Sequence, residues 1–338
     1  MSVALITGAT GLVGSHIAEL LVANGWTVRG MVRSPTSARD LLLGVEPVIG
    51  DVLDESSFRR AAAGCHVVFH TAANIIVKGG WNAFRATNIG GTRNAIAAAE
   101  GAKARLLQVS SVAVYGPSSR YDAAKRGAKT DEQTELAPLS ERAFYARSKR
   151  ESEALVMEAH RQGRVWATAI RPCVVYGRRD RQFVPRMARV IGRVPIPLLN
   201  GGRSIFGVAH AANVAQGALL AATSDRAGGN AYNLANDFDV SVRAFFDLAA
   251  QGLGRRNVMV PLPVWFAKGA LGATKSALKL LSGGRLRLFS GSMIEFIAED
   301  NPFSSDRAKR ELGWAPTVRP ETGVPDAFNW AREHALAG

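Results

Sequence analysis

Thr7-Gly8-Ala9-Thr10-Gly11-Leu12-Val13-Gly14 is the stretch on which the reading of this chain turns. The aliphatic run Val3-Ala4-Leu5-Ile6 leads into it, and from Leu12 to Ala23 apolar residues recur at helical spacing. The glycines therefore fall at a strand-to-helix turn. Glycines there let the backbone bend tightly and approach a pyrophosphate, while the helix start offers unpaired N–H groups and a positive dipole end. Position in the chain, between a strand and a helix, favours a dinucleotide site over an ordinary turn.

Working outward, further strand-like runs recur at Thr27 to Val32, Pro47 to Ile49, His66 to His70, Leu106 to Ser110 and Val165 to Ile170. Helical patterns lie between them at Ser56 to Ala63, Trp81 to Glu100 and Glu141 to His160. This alternation predicts an α/β fold: a Rossmann-type, doubly wound parallel sheet with its ligand crevice at the carboxyl ends of the strands. Beyond Arg171 the pattern loosens, with Val194-Pro195-Ile196-Pro197, a strand-like run from Ser204 to Ala209 and a helix-like run from Asn213 to Ala222. The expected division is a dinucleotide-binding domain over 1–171 and a smaller, mainly substrate-binding lobe over 172–338, some of whose segments return to the first domain.

The residues at the strand ends set the cofactor. The second strand ends Met31-Val32-Arg33-Ser34, where an acidic residue would hold the ribose hydroxyls of NAD and an arginine would pair with the 2′-phosphate of NADP. NADP(H) is the expected cofactor through Arg33, aided by Ser34, with NAD(H) the alternative. Thr7, Gly8, Thr10, Gly11, Leu12, Val13 and Gly14 are expected around the pyrophosphate. Asp51 and Val52 are expected beside adenine, and Thr71, Ala72 and Ala73 beside the nicotinamide ribose.

Three motifs farther on add chemistry: Asn88-x-x-Gly91-Thr92, then Val109-Ser110-Ser111-Val112-Ala113-Val114-Tyr115-Gly116, then Tyr145-Ala146-Arg147-Ser148-Lys149. Tyr145 and Lys149 stand four apart on a predicted helix and so share a face. A lysine beside a phenol favours the phenolate and lowers a pKa that is ordinarily about 10. That predicts Tyr145 as an acid or base near neutral pH. Ser111, at the end of the fifth strand, is placed to hydrogen-bond a substrate oxygen as its charge changes. Ser110 competes with it for that role.

Together with the glycine loop, with Arg171-Pro172-x-x-Val175-Tyr176-Gly177 and with the closing Asp306 to Trp314 stretch, these motifs resemble the extended short-chain dehydrogenases/reductases, the NAD-dependent epimerase/dehydratase superfamily. The resemblance covers nearly the whole chain. It implies a Ser-Tyr-Lys oxidoreductase acting on CH–OH groups, with catalytic Ser111, Tyr145 and Lys149. Counting back from Tyr115-Gly116 as in the family points to Ser111 rather than Ser110. It implies that Lys149 also binds the nicotinamide ribose, that Tyr145, Pro172, Val174 and Val175 lie against the cofactor, and that Asn88 is the family's supporting helix asparagine.

Where the nucleotide-sugar members carry pyrophosphate-binding arginines, this chain has Phe206 and, in a looser alignment, Phe296. The region Pro261 to Leu281, rich in Leu, Trp and Phe with Lys268, Lys275 and Lys279 between, reads as basic amphipathic helix: a core helix, a lid or a membrane contact. Through Arg285-Leu286-Arg287-Leu288-Phe289 it is similar to the 3β-hydroxysteroid and sterol 4-carboxylate dehydrogenase branch. The expected substrate is therefore a small hydrophobic one, steroid-like or a β-keto acid, met by Ser111, Val112, Tyr145, Phe183 and Phe206. A nucleotide-sugar epimerase or dehydratase with retained NAD(P), and a catalytically silent dinucleotide-binding regulator, are the alternatives.

Composition narrows the partners. The chain of 338 residues carries a formal charge of +14, spread without the aromatic interleaving or helix-turn-helix pattern of a nucleic-acid binder. No nucleic acid is expected, while a peripheral membrane contact and a homodimer are. Cys65 and Cys173 lack ligand spacing, so no metal site is expected. The N-terminal run lacks the form of a signal peptide, and a cytoplasmic location is expected.

Overall fold

The seven-stranded sheet has the order β10-β6-β5-β4-β1-β2-β3, and all of its pairings are parallel. Its strands are β1 (Val3–Thr7), β2 (Thr27–Val32), β3 (Val45–Ile49), β4 (Val67–His70), β5 (Arg105–Val109), β6 (Ala167–Pro172) and β10 (Ala231–Leu234). The computed structural model describes residues 2–75, 79–116, 129–262 and 300–336. Strands buried on both faces read as continuous aliphatic runs, as Ala4, Leu5 and Ile6 of β1 do at 0% exposure.

Helices cover both faces of the sheet. On one face, α1 (Leu12–Ala23), α8 (Ala211–Thr223) and α10 (Asp306–Leu312) bury Ile17, Leu21, Val214, Ala218, Leu312 and Trp314 against β1, β5 and β6. On the other, α3 (Glu55–Ala62), α5 (Gly91–Ala102) and α6 (Phe144–Arg161) bury Phe58, Ala95, Ala99 and Val156. This is the doubly wound arrangement, and it delivers the ends of β1, β4 and β5 to one edge of the sheet: Thr7 is in register with His70, and His70 with Gln108.

Two expected elements differ from the observed ones. The run Trp81 to Glu100 is broken into α4 (Gly80–Phe84), a π turn over Arg85–Gly90, and α5. The break has a local cause: the Asn88 carbonyl accepts hydroxyl hydrogen bonds from Thr92 at 2.7 Å and Ser152 at 3.0 Å, so side chains enter the helical ladder there. The run Ser204 to Ala209 is shorter as a strand than expected. Only Val208–His210 (β9) is regular, and Ile205 makes an isolated antiparallel bridge to Ser241.

The chain divides into two compact units. The first takes 1–175, 209–237 and 302–318; the second takes 176–208, 238–301 and 319–338. Described elements of the second unit include α7 (Phe183–Ala188), β8 (Ile196–Leu199), α9 (Val242–Leu253), β11 (Met259–Leu262) and α11 (Pro320–Glu333). Its core is aromatic: Phe245 lies 4.9 Å from Phe206, 5.4 Å from Tyr176 and 6.1 Å from Phe328, ring centre to ring centre. The basic stretch from 263 through Phe296 lies outside the described residues.

Candidate active site

The glycine loop is built for a close approach. Gly8 has φ +69, and a Cβ there would sit 2.8 Å from the Thr71 hydroxyl; a Cβ on Gly14 would sit 2.3 Å from the Gly8 carbonyl oxygen. Neither position admits another residue. Gly11 is exposed at the start of α1, whose first turn has no side-chain cap and no acid. Thr10, Leu12 and Val13 are half-buried around it. The result is a cradle of backbone N–H groups at the positive end of a twelve-residue helix, which fits an anionic pyrophosphate.

The neighbouring strand ends hold this cradle. Thr71 Oγ1 donates to the Thr7 carbonyl at 2.7 Å, and Thr7 Oγ1 accepts from the Ala72 N–H at 3.2 Å. Thr7 Oγ1 also lies 2.9 Å from His70 Nδ1. Burial, aided by the Lys149 charge, pushes the His70 pKa down to about 3, so the ring is neutral. The hydroxyl and the neutral ring share one proton along this contact. This pair is absent from the sequence reading. Its partners are 63 residues apart, and only strand register brings them together.

At the end of β2, Arg33 is exposed and makes no ion pair or hydrogen bond with the described residues. Its neighbour Ser34 instead caps the short helix α2 (Pro35–Ala38), accepting from the Ser37 N–H at 3.3 Å. Asp51 and Val52 are half-buried after β3, with the Asp51 carboxylate accepting from the Leu53 N–H. Ala73 is half-buried after β4.

Ser111, Tyr145 and Lys149 come together at the end of β5. Ser111 has extended backbone and ends its strand by capping the 3-10 turn Val112–Tyr115, accepting from the Ala113 N–H at 3.2 Å. Its hydroxyl lies beside the Tyr145 phenol and pulls that phenol's pKa down. The Ser110 Oγ is buried with no hydrogen-bond partner. One helical turn beyond Tyr145, Lys149 is 5% exposed, with Nζ donating to the Val109 carbonyl at 2.7 Å and lying 5.9 Å from the Tyr145 ring centre.

The expected depression of the phenol pKa is not what this arrangement produces. Burial raises the Tyr145 pKa, opposed by the Ser111 hydroxyl, while the ammonium of Lys149 is directed at a backbone carbonyl. Burial has its own effect on the lysine, whose pKa falls to about 8 although the Glu153 carboxylate works against the fall.

Asn88, expected as the family's supporting helix asparagine, braces the loop after β4. It is 3% exposed; its Nδ2 donates to the Asn74 carbonyl at 3.0 Å and to Ser148 Oγ at 2.8 Å, and its Oδ1 accepts from the Asn74 N–H at 2.6 Å. Ser148 Oγ passes the chain on, donating to the Tyr145 carbonyl at 2.8 Å. The loop after β4 is thereby tied to the helix that carries Tyr145.

A second set, whose pairing is not readable from the sequence, centres on Glu153, one turn beyond Lys149 on α6. Arg171, 7% exposed, donates from Nε to both carboxylate oxygens of Glu153 at 3.0 and 3.1 Å and from Nη1 to the Tyr115 hydroxyl at 2.7 Å. Tyr115 donates in turn to Asn233 at 2.9 Å. Pro172 is buried at the end of β6, and Val174 and Val175 are half-buried in β7 (Val174–Tyr176). Val112 is 5% exposed and packs with Tyr115, Ala235 and Phe303. Phe206, expected to face substrate, is 1% exposed and enclosed by Phe183, Phe245 and Phe246. It belongs to the core of the second unit because a ring without a polar atom loses nothing there; Phe183 is only half-buried.

Comparison with known proteins agrees with this geometry. The model of the NAD dependent epimerase/dehydratase family matches residues 4–235. The chain is similar to 4-hydroxy-2-methyl-3-oxo-4-farnesyl-3,4-dihydroquinoline-1-oxide ketoreductase of Stigmatella aurantiaca, with 30% identity over 96% of this chain and 95% of that one. It is similar to 2-alkyl-3-oxoalkanoate reductase of Shewanella oneidensis at 28% identity, covering 96% and 85%. It is also similar to 3beta-hydroxysteroid-dehydrogenase/decarboxylase isoform 2 of Arabidopsis thaliana at 26%, covering 99% and 62%. No helix among the described residues is long and apolar enough to cross a membrane. The chain belongs to the NAD dependent epimerase/dehydratase family, the extended short-chain dehydrogenases/reductases, and is an NAD(P)-dependent oxidoreductase of CH–OH groups.

Proposed function

We propose that this protein interconverts a ketone and a secondary alcohol on a hydrophobic substrate of the steroid-like or β-keto acid class, using NADP(H). The observation that carries the reading is the Ser111 hydroxyl beside the Tyr145 phenol at the end of β5, with Lys149 one turn away. When bound, the dinucleotide supplies or takes up the hydride. In the reductive direction the substrate oxygen gains negative charge as its carbon is reduced. The Ser111 and Tyr145 hydroxyls donate to that oxygen, and Tyr145 transfers its proton to it. The Lys149 ammonium, on the same helix face, stabilises the tyrosinate that remains. In the oxidative direction the proton returns by the same route.

Three relatives support the substrate class, since their names join a ketone or 3-hydroxyl to an alkyl, prenyl or steroid body. The unpaired Arg33 guanidinium supports NADP, being free to form a bidentate pair with a 2′-phosphate. The test is oxidation of NADPH and of NADH against a panel of hydrophobic ketones and β-keto acids, with nucleotide sugars as the contrast. Tyr145→Phe is expected to reduce turnover by about 10²–10⁴-fold with cofactor affinity retained, and undiminished turnover rejects the assignment. Arg33→Ala is expected to weaken NADPH binding while leaving NADH binding unchanged; equal effects on both reject the NADP preference.

A further inference from the structure

The second unit presents an apolar surface where strand alternation calls for a polar one. β8 and β11 form a two-stranded parallel ladder in which Ile196 is opposite Met259 and Pro197 opposite Val260. The Ile196 N–H donates to the Val258 carbonyl at 2.8 Å, which sets Val258 beside Pro195. Alternate residues face opposite ways. Ile196 and Leu198 turn inward, at 2% and 0% exposure, and the outward row is Pro195, Pro197, Val258 and Val260. Val258 is 61% exposed, Val260 40%, and Val194, at the approach to β8, 43%. A parallel ladder is ordinarily covered on both faces, so an outward row without one polar side chain marks a contact surface.

Cations surround that row. Arg193 lies two residues before Pro195 and Arg256 two before Val258; both are exposed, and neither has an ion-pair partner among the described residues. Arg186 and Arg189, on the segment leading to Arg193, are exposed as well. Arg255 joins the two approaches by donating to the Ala188 carbonyl at 2.5 Å and the Ile191 carbonyl at 3.1 Å, beside Arg193, whose charge helps burial lower the Arg255 pKa. Residues 181–208 and 238–262 contain eight arginines against two aspartates, Asp239 and Asp247.

We propose that this face docks peripherally on an anionic phospholipid bilayer. Short apolar side chains enter the boundary between headgroups and acyl chains, while arginines around them pair with lipid phosphates. A second copy of the chain fits less well, because a two-fold contact sets the same unpaired arginines against one another. Nucleic acid would meet the cations and leave the valines unmatched. The inference does not depend on the substrate named above.

The test is sedimentation of the full-length protein with vesicles of phosphatidylcholine alone and of an equimolar mixture with phosphatidylglycerol. Binding is expected only to the mixture and is expected to fall as salt rises. Each arginine near such a surface is worth about fivefold in partitioning, so Arg193→Glu with Arg256→Glu is expected to lower it at least ~25-fold. Val258→Asp with Val260→Asp is expected to weaken binding too. Neither pair belongs to the catalytic set, so NADPH-linked turnover on a soluble ketone serves as the folding control. Absent binding, equal binding to both vesicles, or full retention by the arginine variant overturns the proposal. So does a solution dimer that the valine variant dissociates, which makes the face a subunit contact.

Discussion

Two buried cations flank Glu153, Lys149 one turn before it on α6 and Arg171 on strand β6, and the protein treats them in opposite ways. Arg171 is locked: although burial opposes its charge, the bidentate Glu153 carboxylate and the Tyr115 hydroxyl push its pKa well above the ordinary arginine value. Lys149 has one backbone carbonyl as hydrogen-bond partner and feels Glu153 only through space, so burial prevails and its pKa drops to about 8. A fully paired buried charge is structural and does not titrate. A buried charge left with partners to gain is poised to respond to cofactor, substrate and proton. The difference separates a scaffold from a working site on the two sides of one carboxylate.

Removing each cation tests the contrast most sharply. Arg171→Met strands the Glu153 carboxylate and is expected to cost about 3–5 kcal/mol of stability, with kcat per folded molecule retained. Lys149→Met is expected to reduce turnover by about 10²–10⁴-fold. Because it removes a charge that burial disfavours, it is also expected to raise stability at neutral pH by on the order of 2 kcal/mol. Denaturant melts and steady-state kinetics on both variants check this. Loss of stability in both, with loss of activity in both, collapses the distinction.

Glu153→Gln sharpens the same point, since it touches both cations. A neighbouring anion favours the charged form of a lysine, so its removal is expected to lower the Lys149 pKa further. Ketone reduction requires the charged lysine, and in the native protein its rate is expected to fall as pH rises through about 8. In Glu153→Gln that limb moves to lower pH. A purely structural role for Glu153 would reduce stability and leave the limb in place.

His70 extends the comparison to a group kept neutral. Its folded pKa of about 3 lies below the ordinary value of 6.5, so the unfolded chain binds a proton that the folded one refuses. The stability contributed by the neutral ring is complete above pH 6.5 and is lost as pH falls toward 3, at about 1.4 kcal/mol per unit. His70→Gln is expected to flatten that acid limb in urea melts between pH 4 and 7 (about the working range for such melts). An unchanged slope refutes the assignment.

What was legible in the sequence follows from range. Gly8, Gly14, Tyr145 and Lys149 are readable because their meaning lies in spacings of a few residues, and the α/β alternation because strands and helices have their own periods. Asn88 is legible as a supporting asparagine through its local motif, but its partners Asn74 and Ser148, 14 and 60 positions away, are not. Arg171 is visible only as the first residue of its motif and Glu153 in no motif, because the two pair only once strand β6 is laid beside α6. Phe206 stood out as a departure from arginine, and the departure reflects an aromatic core rather than a substrate wall.

The smallest effect probes that Asn88 brace. Ser148→Ala removes the hydroxyl that accepts from Asn88 and donates to the Tyr145 carbonyl, and it is expected to cost about 1–2 kcal/mol because the Asn88 amide is left with an unpaired buried N–H. If the brace also orients Tyr145, kcat falls while KM stays constant, and Ser148→Thr, which keeps the hydroxyl, restores both stability and kcat. If it only supports the fold, melting shifts and kcat does not. Either way the result measures how far the locked scaffold around Glu153 and Asn88 reaches into the site that Lys149 leaves open.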